Sequence, residues 1–315
     1  MQIRNWSLAL AVSALMLTAV TAATAQSVKP AGDSEIVPTG KGWGVRVPTL
    51  DAIAKRHTPP PPPAANGINY HKGPVMLGTV NVYFIWYGSW GDDNTQAILT
   101  DEAQTIGGTA WFNINSTYYS GSGRTLKHVG NSVKYKAAIA DDYSRGINLD
   151  DSDIAAIVAS AINSKRLPKD ANGVYFVLTS PDVDETSGFC TDYCGWHTSG
   201  KLSGVDIKYA FIGGIARCPN DCAAQRFHSP NNNPGADGMA SVIAHELSES
   251  VTDPDLNAWY DSRGMENADK CAFNFGDEYL TANGSGANLR WGARDFLIQR
   301  NWVNGGGGYC SVAYP

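Results

Sequence analysis

The sequence is poor in charge and has no basic excess. Asp, Glu, Lys and Arg make up 17% of it, and the formal net charge is −6. A chain of this balance has no basic patch to draw in phosphate, which excludes a nucleic-acid binder and disfavours an anionic membrane surface. Past the first twenty or so residues no apolar run is long enough to span a bilayer. A GxSxG nucleophile elbow is missing, which argues against a serine hydrolase. So is a glycine-rich phosphate loop. No internal repeat is visible, and no CxxC pair of the zinc-ribbon kind occurs.

What is present begins at the front. Arg4 supplies a positive start, Leu8 to Val20 is apolar, and Ala23-Thr24-Ala25 is a small-x-small cleavage pattern. Residues 1–25 therefore read as a signal peptide, with the mature chain starting at Gln26. The expected location is secreted or extracellular, with the periplasm as the bacterial equivalent, and no membrane is expected to hold the mature form. Residues 26–66 have weak periodicity and end in the run Pro59 to Pro63, a stiff polyproline spacer. They read as a proline-rich pro-segment or linker, from which Trp43, Val45 and Val47 could dock on the domain. Residues 67–315 read as the folded domain.

The six cysteines are Cys190, Cys194, Cys218, Cys222, Cys271 and Cys310. An even count in an exported chain reads as disulfides, although many pairings are open. The short CxxxC spacings favour Cys190 with Cys194 and Cys218 with Cys222, leaving Cys271 for Cys310. A thiolate zinc site is the rival reading, against which the spacing and the oxidising compartment both count.

Val80 to Tyr87 is β-branched and aromatic and predicts a core strand. Buried strands are also predicted at 174–179 and 207–213, with a Cys- and Gly-rich loop region between them. Helices are predicted over 94–106, capped by Asn94 or Asp93, over 151–164, and from Gly235 to about Thr252, stopped by Pro254. Loose alternation of strands and helices predicts an α/β (α+β) fold.

The stretch from His245 to Asp269 carries the chemistry. It holds seven carboxylates against one arginine, Arg263. Such density calls for water or a cation. His245 and Glu249 are four apart and share a helix face, while Glu246 lies about 100° round from His245. This is the logic of the HExxH helix of zinc peptidases, with Glu249 in place of the second histidine. The two ligands hold the ion, and the adjacent glutamate takes a proton from the attacking water. Carboxylate is an acceptable zinc ligand. Glu266, with Asp269 close behind, is the expected third ligand, as in gluzincins. Asp255 is the alternative, at metzincin spacing. Because Met239, Val242, Ile243 and Leu247 form the apolar stripe, the His–Glu face is expected to line a cleft or meet solvent. The bland alternative is an ordinary exposed i,i+4 pair. Asp253, Asp255, Asp261 and Asp269 would also suit calcium, a harder cation.

His197 and His228 sit beside cysteine pairs and are candidate catalytic groups: acid, oxyanion stabiliser or extra ligand. The structural alternative is a hydrogen-bonded histidine. His71 and His128 have no motif around them. The Tyr and Trp runs could stack on sugars, but a buried strand such as 80–87 explains them more simply.

Several of these segments resemble the EXORDIUM, or phosphate-induced protein 1, family of secreted proteins known from plant cell walls. The matching pieces are Gly73-Pro74-Val75, Val82 to Gly88, Val177-Leu178-Thr179, Cys190 to His197, Cys218 to His228, and Asp237-Gly238-Met239 leading into Val251 to Pro254. The resemblance runs from about residue 70 to the last cysteine. It implies an extracellular protein associated with growth responses. Within that family the chain is expected to form a branch with a zincin-like HExxE helix. The fold then expected is a single zincin-like domain with a mixed sheet, an active-site helix and disulfide-bonded loops. The function expected is a zinc-dependent metallohydrolase, first of all a peptidase, acting on a peptide or cell-wall substrate. The alternative is a non-catalytic extracellular protein that binds cell-wall glycan or a partner.

Overall fold

Five stretches of the chain are rich enough in β-branched, aromatic or alternating residues to pair into one sheet. They are β1 (Val80–Tyr87), β2 (Val133–Asp141), β3 (Gly173–Thr179), β4 (Gly195–Leu202) and β5 (Val205–Ile212). The computed structural model describes residues 37–41, 67–91 and 94–315. All of them fall in one unit, Glu35–Pro315. The proposed signal peptide, the proline run and Trp43, Val45 and Val47 lie outside the described residues.

The strand order is β2-β1-β3-β5-β4. β1 pairs in parallel with β2 and β3, and β3 in parallel with β5. β4 alone runs antiparallel, against β5, and forms the far edge. The inner strands β1 and β3 are buried almost throughout, as parallel strands covered on both faces must be. Their Phe84 and Phe176 meet edge to face at 5.9 Å between ring centroids.

The antiparallel edge strand is the element the sequence reading assigned to loops. It exists because β4 and β5 are joined by Ser203-Gly204 alone, with φ of 50° and 79°. Two consecutive positive φ values suit a type I′ turn, whose twist matches that of the flanking strands. β2 was also missed; its burial alternates irregularly and its outer face is charged.

Three long helices pack around the sheet: α1 (Thr95–Thr105), α2 (Asp151–Asn163) and α3 (Pro234–Thr252). α2 starts on a capping box in which Asp150 and Asp153 each accept the other's backbone N–H. It buries Ile154, Ile157, Val158, Ala161 and Ile162. α1 has Asn94 at its N-cap position but no side-chain cap. Asn94 instead donates to the Asn231 carbonyl and accepts from Asn233.

α3 departs most from expectation. Asn233 caps it by accepting from Ala236 N at 3.0 Å, and Pro234 opens its first turn. Every residue from Gly235 to Thr252 is then buried. The His–Glu face neither lines an open cleft nor meets solvent. α3 contacts α1, β4, β5 and the helical turn Phe112–Thr117, and the C-terminal segments add further cover. Asn115 ties these parts together: it donates to Ser248 Oγ at 3.3 Å and accepts from Asn267 and Asn301, each at 3.1 Å.

The disulfides are Cys190–Cys218, Cys194–Cys222 and Cys271–Cys310. The last is as expected; the two local pairs are not formed. Cys218 and Cys222 bracket the helical turn Pro219–Cys222. The two CxxxC segments instead cross-link to each other and clamp the start of β4. Among the described residues no helix is long and apolar enough to cross a membrane.

Candidate metal centre

α3 brings His245, Glu246 and Glu249 to one place. His245 Nε2 lies 3.0 Å from Glu249 Oε1, which is the i,i+4 contact the spacing implied. The chain then leaves the helix at Asp253, whose Oδ1 accepts the backbone N–H of Asn257 and of Ala258, each at 2.6 Å. A second turn follows, in which Asp261 Oδ1 accepts from Arg263 N and Met265 N at 2.8 and 3.0 Å. Gly264 takes φ of 76° there, a conformation side chains resist. These two turns reverse the chain and return Glu266 and Asp269 to the helix. Asp269 N donates to Glu249 Oε1 at 3.1 Å, and Glu266 N donates to Asp269 Oδ2 at 3.2 Å. Cys271–Cys310 anchors the segment immediately afterwards.

The sixth member comes from the sheet. His197, on β4, places Nε2 3.2 Å from Glu266 Oε2 and 3.7 Å from Glu249 Oε2. The strand can approach α3 this closely because residue 195 is glycine. A Cβ there would stand 2.6 Å from Val242 Cγ1 and 3.2 Å from Glu246 Oε1.

The six residues are the buried polar heart of the domain, none more than 3% exposed. Among the described residues the ion pairs of His197, His245, Glu249, Glu266 and Asp269 run only to one another. Several buried atoms have no hydrogen-bond partner: His197 Nδ1, His245 Nδ1, Glu246 Oε2, Glu266 Oε1 and Asp269 Oδ1. Buried polar groups are normally satisfied, so such a set of orphans points to a missing partner. Burial pushes the carboxyls of Glu246 and Glu266 well above their ordinary range, and neighbouring carboxylates push further. Glu249 is raised to about 7 by burial and by Asp269, against the pull of His245. Burial drives His197 down to about 3, with His245 adding to it. Burial alone would lower His245 too, but Glu249, Asp269 and Glu246 outweigh it and raise its pKa.

A divalent ion fits this chemistry. Zinc bonds of about 2.0–2.2 Å in a tetrahedron set ligand atoms roughly 3.3–3.6 Å apart. The contacts His245–Glu249 (3.0 Å), His245–Asp269 (3.5 Å), His197–Glu266 (3.2 Å) and His197–Glu249 (3.7 Å) lie around that spacing. Two sets have the reach to hold an ion: His245, Glu249 and Asp269, and His197, Glu249 and Glu266.

Two candidates fall elsewhere. Asp255 follows the helix end and faces Asp206 and Ser199, since Asp253 and the positive φ of Leu256 turn the chain away. His228 is exposed on the loop before Asn233. Of the four aspartates that suited calcium, only Asp269 belongs to the cluster; Asp253 and Asp261 hold turns, and Asp261 Oδ2 also takes Lys270 at 3.1 Å. The strand that carries His197 was not foreseen. Its signal was the two-residue Ser203-Gly204 link before a β-branched and aromatic run. Residues 37–41 pack beside the same strand: His197 N donates to the Gly40 carbonyl at 3.0 Å, and Lys41 Nζ reaches Asp151 at 2.7 Å and Ser187 at 2.6 Å.

Comparison with known proteins places these features in a family. Residues 68–287 match the phosphate-induced protein 1 conserved region. Protein EXORDIUM-like 5 of Arabidopsis thaliana is 35% identical over 219 residues, covering 61% of this chain and 59% of the relative. Protein EXORDIUM-like 3 of the same plant is 32% identical over 218 residues, 61% and 64% of the two chains. Protein PHOSPHATE-INDUCED 1 of Nicotiana tabacum is 29% identical over 241 residues, 65% and 71%. The match thus spans roughly three fifths of the first two relatives. No solved structure matches the chain. The matched region takes in His197, residues 245–249 of α3, Glu266 and Asp269, and the chain belongs to the phosphate-induced protein 1 family.

Proposed function

We propose that the protein is a secreted, zincin-like zinc metallohydrolase with peptides as its first substrate class. One observation carries the reading. Two histidines and four carboxylates are buried together with, among the described residues, no Lys or Arg paired to them, and five of the six fall into two sets at ligand spacing: His245, Glu249 and Asp269, and His197, Glu249 and Glu266. The imidazoles favour zinc over calcium, which prefers an all-oxygen shell. His245, Glu249 and Asp269 are the ligands of the helix side. Glu266, the third ligand expected from spacing, groups with His197 instead. Three disulfides suit an oxidising, extracellular setting.

When bound, zinc supplies a Lewis acid that polarises a carbonyl and lowers the pKa of water. Glu246 is the general base: it lies beside His245 in sequence, and its Oε2 has no partner. His197 sits among the ligands, so its role is to hold or orient them.

The test uses purified, secreted protein. Metal analysis is expected to find zinc, and Glu246→Gln is expected to lower peptide hydrolysis on the order of 10²–10⁴-fold with metal retained. Folded protein without zinc, or full activity in the variant, would overturn the reading.

The burial of all six residues favours a second reading. The ion would then be structural, in a non-catalytic extracellular protein that binds cell-wall glycan or a partner. Glycan capture that survives chelation, together with no hydrolysis of casein or cell-wall peptides, would select it.

A further inference from the structure

The cluster contains more ligands than one ion can use. Two donors on the same zinc ion lie at most about 4.2 Å apart, twice a bond of roughly 2.1 Å. The five candidate ligands do not form one set even at 4.8 Å; they form two sets of three. Each set has one imidazole, one carboxylate of its own and one oxygen of Glu249. On one side, Glu249 Oε1 is 3.0 Å from His245 Nε2, and Asp269 Oδ1 is 3.5 Å from the same nitrogen. On the other side, Glu249 Oε2 is 3.7 Å from His197 Nε2, and Glu266 Oε2 is 3.2 Å from it. The two oxygens of one carboxylate therefore face two different histidines.

We infer that the centre is dinuclear: two zinc-class divalent ions, one held by His245 and Asp269, the other by His197 and Glu266, with Glu249 bridging them. The inference rests on reading the cluster as a metal centre and goes beyond it in number and in the role of Glu249. A carboxylate bridge suits the roughly 3.5–4 Å separation of two-metal sites.

Among the described residues no lysine or arginine pairs with Glu249, Glu266 or Asp269, so neither set is filled by a cationic side chain of that kind. Buried atoms without a hydrogen-bond partner also occur in both sets, Asp269 Oδ1 in one and Glu266 Oε1 in the other. A single ion at the His245 set would leave Glu266 Oε1 as it is.

The test is stoichiometry on the untagged mature chain, stripped with chelator and titrated with Zn²⁺. Bound metal is counted by elemental analysis after gel filtration. Wild type is expected to hold two equivalents. His197→Ala and His245→Ala are each expected to hold one, and Glu249→Gln to lose affinity at both positions. Loading wild type with Mn²⁺ and recording its EPR spectrum needs no variant to fold; an exchange-coupled pair is expected. One equivalent at saturation, with an uncoupled Mn²⁺ signal, overturns the dinuclear centre and leaves the hydrolase reading standing. No bound metal in folded protein overturns both.

Discussion

His197 Nε2 lies 3.2 Å from Glu266 Oε2, joining the antiparallel edge of the sheet to a loop 69 positions later in the chain. This contact ties the strand into the buried cluster of histidines and carboxylates. It depends on β4 reaching α3, on the turns at Asp253 and Asp261, and on the crossed disulfides at the start of β4.

Metal removal should weaken the fold as well as any activity. Ions that bind only the folded state stabilise it by mass action, about 2.7 kcal/mol when free ligand is 100 times Kd. A chelator is expected to lower Tm in scanning calorimetry, and added Zn²⁺ to restore it. An unchanged Tm would mean that the buried carboxylates manage without a cation.

Gly195→Ala tests the helix–strand approach. The added Cβ would meet Val242 Cγ1 at 2.6 Å and the Phe211 carbonyl at 2.9 Å. Overpacking of this kind costs about 1–3 kcal/mol. The denaturant midpoint should fall, and metal affinity should fall with it because β4 carries His197 two residues on.

Glu102 offers a pH test away from the centre. It is fully buried in α1, both carboxylate oxygens lack a partner, and its pKa is raised well above 4.5 by burial and by Asp237. A carboxyl with a raised folded pKa binds more protons folded than unfolded, so it favours the fold at low pH and costs stability as pH rises past 4.5. Glu102→Gln removes that cost. Its Tm relative to wild type is expected to increase from pH 4.5 to pH 8, read from paired melts.

The crossed disulfides make a direct prediction. Peptide mapping without reduction should recover Cys190 linked to Cys218 and Cys194 linked to Cys222, and neither local pair. Each bridge closes a separation of 28 residues. Losing one is expected to destabilise the domain by about 2–5 kcal/mol, measured by denaturant unfolding.

Local pattern was enough to read much of this molecule. β1, α2 and α3 fall within a residue or two of their expected ends, because a β-branched run, a capping box and a proline stop are local signals. The i,i+4 contact of His245 and Glu249 follows from helix geometry alone. The family resemblance was legible as well, because it rests on short sequence blocks in order. Tertiary structure decided the rest. Whether α3 faces solvent depends on what packs around it, and α1, β4, β5 and the turn Phe112–Thr117 together with later segments leave none of it exposed. Glu266 and Asp255 were separated by two side-chain-capped turns whose direction no periodicity encodes. The cysteine pairing depended on where two segments 28 residues apart meet, which spacing along the chain does not encode. His197 entered the cluster only because a two-residue turn folded β4 back along β5, a non-local arrangement that leaves little trace in the residues of the strand itself.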